Sequence, residues 1–164
     1  MPSRKPQKRI DPIAQFMQEH DEALVQLSAL SKATTAIAES GFTRESYNKV
    51  LRAVEFIEVE VSVHNRSEEE ALFPVLERYV EGPTGLMRED HKILKKEFRR
   101  LRRAVDRLGA RRSDGAAAAE LANVSRAIVQ IFVNHIHKEN HILFPLVQKF
   151  LTKDALREVA RRMV

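Results

Sequence analysis

Two stretches of the chain carry the same metal-ligating residues in the same order. His64 is followed four residues on by Glu68 and then by Leu72-Phe73-Pro74; His135 is followed four residues on by Glu139 and then by Leu143-Phe144-Pro145. Every match shares one offset of 71 residues, which marks an internal duplication. The same offset pairs two further histidines, His20 with His91. Four neutral imidazoles and two carboxylates suit two transition-metal ions, each holding two His while the carboxylates bridge. The candidate ligands are therefore His20, His64, Glu68, His91, His135 and Glu139. The chain has no cysteine, so a thiolate site and a disulfide framework are both excluded.

Helices must position these groups. Asp11-Pro12 supplies an N-cap acceptor followed by proline at the first helical position. Apolar residues then recur at Ile13, Phe16, Met17, Leu24, Leu27, Leu30 and Ile37, with His20 on the same stripe, until Gly41. Thr43 caps a second helix whose stripe runs Val50, Leu51, Val54, Ile57, Val61, His64, Glu68, Leu72 and Val75. Pro74 is expected to bend it. The segment 81–85 separates the two repeats. A third helix from Thr84 or Gly85 carries Met87, His91, Leu94, Phe98, Leu101, Val105 and Leu108, ending at Gly109. After Ser113-Asp114-Gly115, the fourth shows Leu121, Val124, Ile128, Ile131, Phe132, His135, Glu139, Ile142 and Leu146. The predicted fold is all-α: an up-down-up-down four-helix bundle of two duplicated hairpins over 11–151, preceded by a disordered basic tail over 1–10. A short amphipathic helix over 152–164 packs on one end of the bundle or on a partner.

The spacing within each half predicts a common height. His20 and His64 are centred on residue 42, His91 and His135 on residue 113, and both midpoints fall in predicted turns. Residues equidistant from the turn of an antiparallel hairpin lie level, with each Glu about one turn, roughly 5 Å, beyond. Packing the hairpins together gathers all six side chains into one core layer, where unpaired carboxylates would be costly and a bound cation relieves the cost. Any single histidine on an apolar face would be an ordinary core residue; six at one offset are not. One height disagrees: measured from the centre of 81–85, Glu68 and His91 differ by about 10 Å at helical rise. A bend at Pro74 or an early end to the second helix would absorb it.

Neighbouring residues are read by helical angle. Glu60 lies one turn before His64 and its counterpart is Ile131, which makes Glu60 a candidate extra ligand or a hydrogen-bond acceptor for one, or else a boundary residue paired with a base. His137 and His141 lie some 200–240° round from His135 and are expected to face outward, as are Glu69 and Glu70.

Composition narrows the function classes. The length of 164 residues suits one domain, and the opening residues lack an apolar run of the kind found in a signal peptide or membrane span, so a cytoplasmic protein with no membrane partner is expected. The net charge of +5 comes from arginine-rich helix faces and the N-terminal tail. No aromatic residues interleave with the arginines, so a nucleic-acid partner is not expected.

The pattern of His20, His64xxxGlu68 with Leu-Phe-Pro, His91, and His135xxxGlu139 with Leu-Phe-Pro resembles the hemerythrin-like, HHE cation-binding domain over residues 12 to 150. The resemblance implies a four-helix bundle with two non-haem irons, His residues as terminal ligands and Glu residues as bridges. An oxo or hydroxo bridge between the irons is expected, with manganese or a mixed pair compatible with the same ligands. It further implies a small-molecule ligand: oxygen, hydrogen peroxide or nitric oxide. The chain departs from the oxygen carriers of that family, having Lys95 where they carry a further His and Glu139 where they carry Asp. Peroxide disproportionation is the specific expectation if the protein is an enzyme. The alternative is an iron- or oxygen-responsive sensor or partner-binding module without turnover.

Overall fold

The computed structural model describes residues 11–163; the expected basic tail over 1–10 lies outside them. Five helices form, and the described residues contain no strand. Helix α1 is Pro12–Ser40, α2 spans 44–76, α3 is Thr84–Ala110, α4 is Gly115–Phe150 and α5 is Lys153–Arg162. The first four pack as two hairpins, α1 on α2 and α3 on α4, joined along the α1–α4 and α2–α3 seams. This is the expected up-down-up-down bundle.

The helix ends follow from local chemistry. Asp11 Oδ1 accepts from the backbone N–H groups of Ile13 (3.0 Å) and Ala14 (3.2 Å), two donors that α1 cannot satisfy internally. Gly41 closes α1 at φ 93°, a conformation that a side chain would strain. Thr43, Asp114 and Thr152 cap α2, α4 and α5 in the same way as Asp11. Gly109 does not end α3, which runs one residue further. Its role is steric: a Cβ there would overlap the hydroxyl of Tyr47, which crosses from α2 to donate to the Val105 carbonyl at 3.2 Å.

Departures from α-helical register explain another difference. Residues Glu68–Leu72 and Glu139–Leu143 form π-helical turns at equivalent places in the repeats. The carbonyls of Glu68 and Glu139 accept from Phe73 and Phe144, five residues on. Pro74 and Pro145 lie just downstream. Each lacks an N–H to give the carbonyl four residues earlier, and the helix continues through the wider turn. The extra residue also rotates the face. Ile142, expected in the core, is 51% exposed and Leu146 half-buried, while Leu143 and Val147 are buried in their place. Met17 likewise lies on the flank of α1, exposed.

The height mismatch is resolved by an early end to α2 at Leu76. Glu68 precedes that end by eight residues, and His91 follows the start of α3 by seven. Helix α5 packs on the end of the bundle, burying Ala155 and Val159, with Glu158 accepting from both terminal nitrogens of Arg78 (2.7 and 3.0 Å). By length and composition α4 could cross a membrane (mean hydropathy 1.3). Its packing against α1 and α3 as the central helix of the bundle accounts for that composition as well.

The core divides into two apolar clusters. One, around Leu27, Leu30, Val54, Leu101 and Leu121, fills the hairpin-turn end; the other, around Phe16, Leu72, Phe73, Met87, Phe144 and Val159, fills the α5 end. Between them lies a polar layer.

Candidate metal centre

The polar layer contains the six residues expected from the sequence. His20, His64, His91 and His135 are 93–97% buried, and Glu68 and Glu139 are fully buried. They form two overlapping groups, His20-His64-Glu68-Glu139 and Glu68-His91-His135-Glu139, in each of which the potential ligand atoms lie within 4.8 Å of one another. Both carboxylates belong to both groups. Glu139 Oε1 lies 3.0 Å from His20 Nε2 and 3.1 Å from His135 Nε2. Glu68 reaches His64 Nε2 at 3.0 Å and His91 Nε2 at 3.2 Å. Each Glu therefore spans the two histidine pairs.

Close approach is not the same as hydrogen bonding here. Both oxygens of Glu68, Oε2 of Glu139 and Nε2 of His91 and His135 are buried without a hydrogen-bond partner, although some lie near 3 Å from one another. They belong to the two groups of atoms that lie within 4.8 Å of one another. Orphaned buried acceptors of this kind are expensive. A cation in each group satisfies them, so the donor set present fits a pair of metal ions.

A second ring of residues fixes the imidazoles, and the sequence reading missed it. His20 Nδ1 meets Asn140 Oδ1 at 2.7 Å, and His91 Nδ1 meets Glu69 Oε1 at 2.9 Å. His64 Nδ1 meets Glu19 Oε1 at 3.3 Å, and His135 Nδ1 meets Asp90 Oδ2 at 3.1 Å. An amide or carboxylate oxygen can only accept, so each Nδ1 donates and each Nε2 turns inward. Glu69 was expected to face outward with Glu70; instead the π-turn that starts at Glu68 brings it to His91. The four partners obey the duplication: Glu19 pairs with Asp90, and Glu69 with Asn140, at the offset of 71. Each sits next to a predicted ligand, which is the signal that could have found them. Replacing Asp90 with Ala should lower affinity for the metals about 10- to 100-fold while leaving the helix content intact, measured by competitive chelator titration and circular dichroism.

Aromatic rings close the layer. Phe144 stacks on His20 (centroids 5.4 Å apart) and Phe73 on His91 (5.9 Å), so the Phe of each Leu-Phe-Pro covers a histidine of the other hairpin. His137 and His141 face outward as expected, exposed and stacked on each other, and Lys95 is also exposed. Glu60 belongs to neither ligand group and is exposed.

The charges in the layer are coupled. Burial opposes the charged form of His64, but the Glu68, Glu139 and Glu19 carboxylates outweigh it and raise its pKa well above 6.5. His91 and His135 are raised against the same burial penalty by Glu68 and Glu139. Burial would raise Glu139, yet the His135, His20 and His64 imidazoles around it hold it well below 4.5. Without metal, the carboxylates of the layer thus favour the protonated form of His64, His91 and His135, and these imidazoles favour the charged form of Glu139. With metal, the imidazoles must give up those protons.

A search of curated protein sequences finds no match to the chain. The family model of the hemerythrin HHE cation-binding domain matches residues 11–147, and a second match covers 82–164. The second match starts 71 residues after the first, the offset of the duplication. With the first match spanning most of its length and a buried His/Glu layer that fits metal ions, the chain is a metal-binding protein of the hemerythrin HHE cation-binding domain family.

Proposed function

We propose that the layer holds two non-haem irons and that the protein binds or processes oxygen, hydrogen peroxide or nitric oxide. His20 and His64 would hold one ion, His91 and His135 the other, with Glu68 and Glu139 between them. The observation that carries this reading is the set of buried, unpartnered oxygens and nitrogens shared by two ligand groups. An iron pair supplies redox equivalents and exchangeable positions for a small ligand.

The chain's own residues set the conditions for that chemistry. Asn140, Glu19, Glu69 and Asp90 keep each imidazole in the tautomer that presents Nε2 inward. Phe16, Phe73 and Phe144 pack against the histidines and limit water, which strengthens charge interactions within the layer. Lys138 donates to Asp90 at 2.9 Å and steadies the acceptor of His135. The opening that reaches His20 and His64 has a volume of about 20 Å³, enough for a water-sized molecule and too small for an organic substrate. This favours diatomic molecules and peroxide.

The test is direct. Protein produced with iron should carry close to two irons per chain and an absorption spectrum that changes when peroxide is added, with oxygen evolved if peroxide is disproportionated. A ratio far below two would sink the di-iron reading. Iron without oxygen evolution would remove the peroxide reaction and leave ligand binding.

A further inference from the structure

The duplication makes the two sides of the layer comparable residue by residue, and they differ in one respect. A small cavity touches His20 and His64, and neither His91 nor His135, and is lined also by Glu19, Glu22, Ala23, Phe56, Glu60, Val61 and Phe132. At the offset of 71, Glu22 becomes Ile93, Ala23 becomes Leu94, Glu60 becomes Ile131 and Val61 becomes Phe132. At these four positions small or acidic residues on the first side have larger apolar counterparts on the second, while Phe56 becomes the smaller Ala127. Leu94 is fully buried where the first side has Ala23, and Phe132 forms part of the wall of the first-side cavity.

Backbone geometry differs at the same place. Residues Ile57–Val61 form a π-helical turn, whereas the equivalent 128–132 stretch is ordinary α-helix. This third π-turn has no partner in the other repeat, unlike the two that follow Glu68 and Glu139. It carries Glu60 at the rim of the cavity. Glu60 is exposed, and no hydrogen bond or ion pair with another described residue holds it. Its carboxylate stands with those of Glu19 and Glu22 around the opening, on a chain whose net charge is +5.

We propose that small ligands reach the layer through this opening and that Glu60 is its gate, favouring neutral molecules over anions. The inference rests on the reading of the layer as a metal centre. A negative rim repels an approaching anion over roughly a Debye length, about 8 Å at physiological ionic strength, and leaves nitric oxide, oxygen or undissociated peroxide unaffected. For a neutral ligand, a gate at the rim changes the rates in both directions and leaves the affinity alone.

The experiment uses the iron-loaded full-length protein, with nitric oxide as the neutral probe and azide as the anion, followed by stopped-flow absorption. Glu60→Trp, at an exposed position, should cover the opening and slow nitric oxide association and dissociation together by about tenfold, with iron content unchanged. Glu60→Gln keeps the size and removes the charge: nitric oxide rates should stay, while azide association rises severalfold and its acceleration by added salt weakens. Unchanged nitric oxide rates in Glu60→Trp would overturn the route, and an unchanged azide rate and salt dependence in Glu60→Gln would overturn the selectivity. Failure of the wild-type protein to take up iron would overturn this inference together with the metal reading, whereas normal uptake with unaltered variants overturns the gate alone.

Discussion

Glu139→Ala should abolish binding of both metals, not one, and should also lower the stability of the metal-free protein. The carboxylate is fully buried and lies 3.0 Å from His20 Nε2 and 3.1 Å from His135 Nε2, on opposite sides of the layer. Removing it takes a ligand from each group at once. In the metal-free form it also takes from His20 and His135 the buried carboxylate closest to their Nε2 atoms, leaving Asp90 as the hydrogen-bonded carboxylate of His135. Breaking a buried pair in this way costs about 3–5 kcal/mol. Metal content per chain and chemical denaturation of the metal-free protein report the two effects separately. His137→Ala, on the exposed face of the same helix, should change neither. Equal losses in both variants would mean that the ligand face of α4 is wrongly assigned.

The repeat is what made the site legible in the sequence. One offset tied His20 to His91 and each His-Glu pair to the other, and the midpoints at residues 42 and 113 placed them level. Both inferences depend only on helical rise and survive small errors in helix boundaries. What escaped was governed by angle around the helix. Strict α-helical spacing put Ile142 and Leu146 in the core and Glu69 in solvent. The π-turns at Glu68 and Glu139 changed both, since one extra residue in a turn shifts everything beyond it. Proline just downstream of both glutamates was the available sign, although a proline alone does not distinguish a wide turn from a kink. The hydrogen-bond partners of the imidazoles were hidden for a related reason. Glu19, Asp90, Glu69 and Asn140 flank the ligands in sequence and so sit about 100° from them on a helix. That places them at the shoulder of the core, where composition does not separate a solvated carboxylate from one turned inward.

Duplication also clarifies what each repeat contributes. Glu19 and Asp90 serve the histidine of the partner helix within their own hairpin, while Glu69 and Asn140 serve the first histidine of the other hairpin. Phe73 and Phe144 likewise cross over. Neither hairpin completes its own ligand environment, so metal binding should depend on the docked bundle.

Chelation and pH should therefore act together. His64, His91 and His135 have raised pKa values in the metal-free fold, so their contribution to stability is fully present below the unfolded value of about 6.5 and is lost as pH rises through the raised values. Glu139 is depressed, so its contribution is present above about 4.5 and is lost as pH falls through its lower folded value. The metal-free protein should be most stable in mildly acidic solution and weaken toward pH 8. Metal works in the opposite sense. It needs neutral imidazoles, so binding releases protons and its stabilisation grows with pH, reaching about 2.7 kcal/mol where free metal is 100 times the dissociation constant. Melting temperatures of chelated and loaded protein should lie close together near pH 5.5 and separate widely by pH 8. Proton release on metal addition in weak buffer gives an independent readout. A metal-free melting temperature that climbs steadily from pH 6.5 to 8.5 would contradict the raised pKa values of His64, His91 and His135.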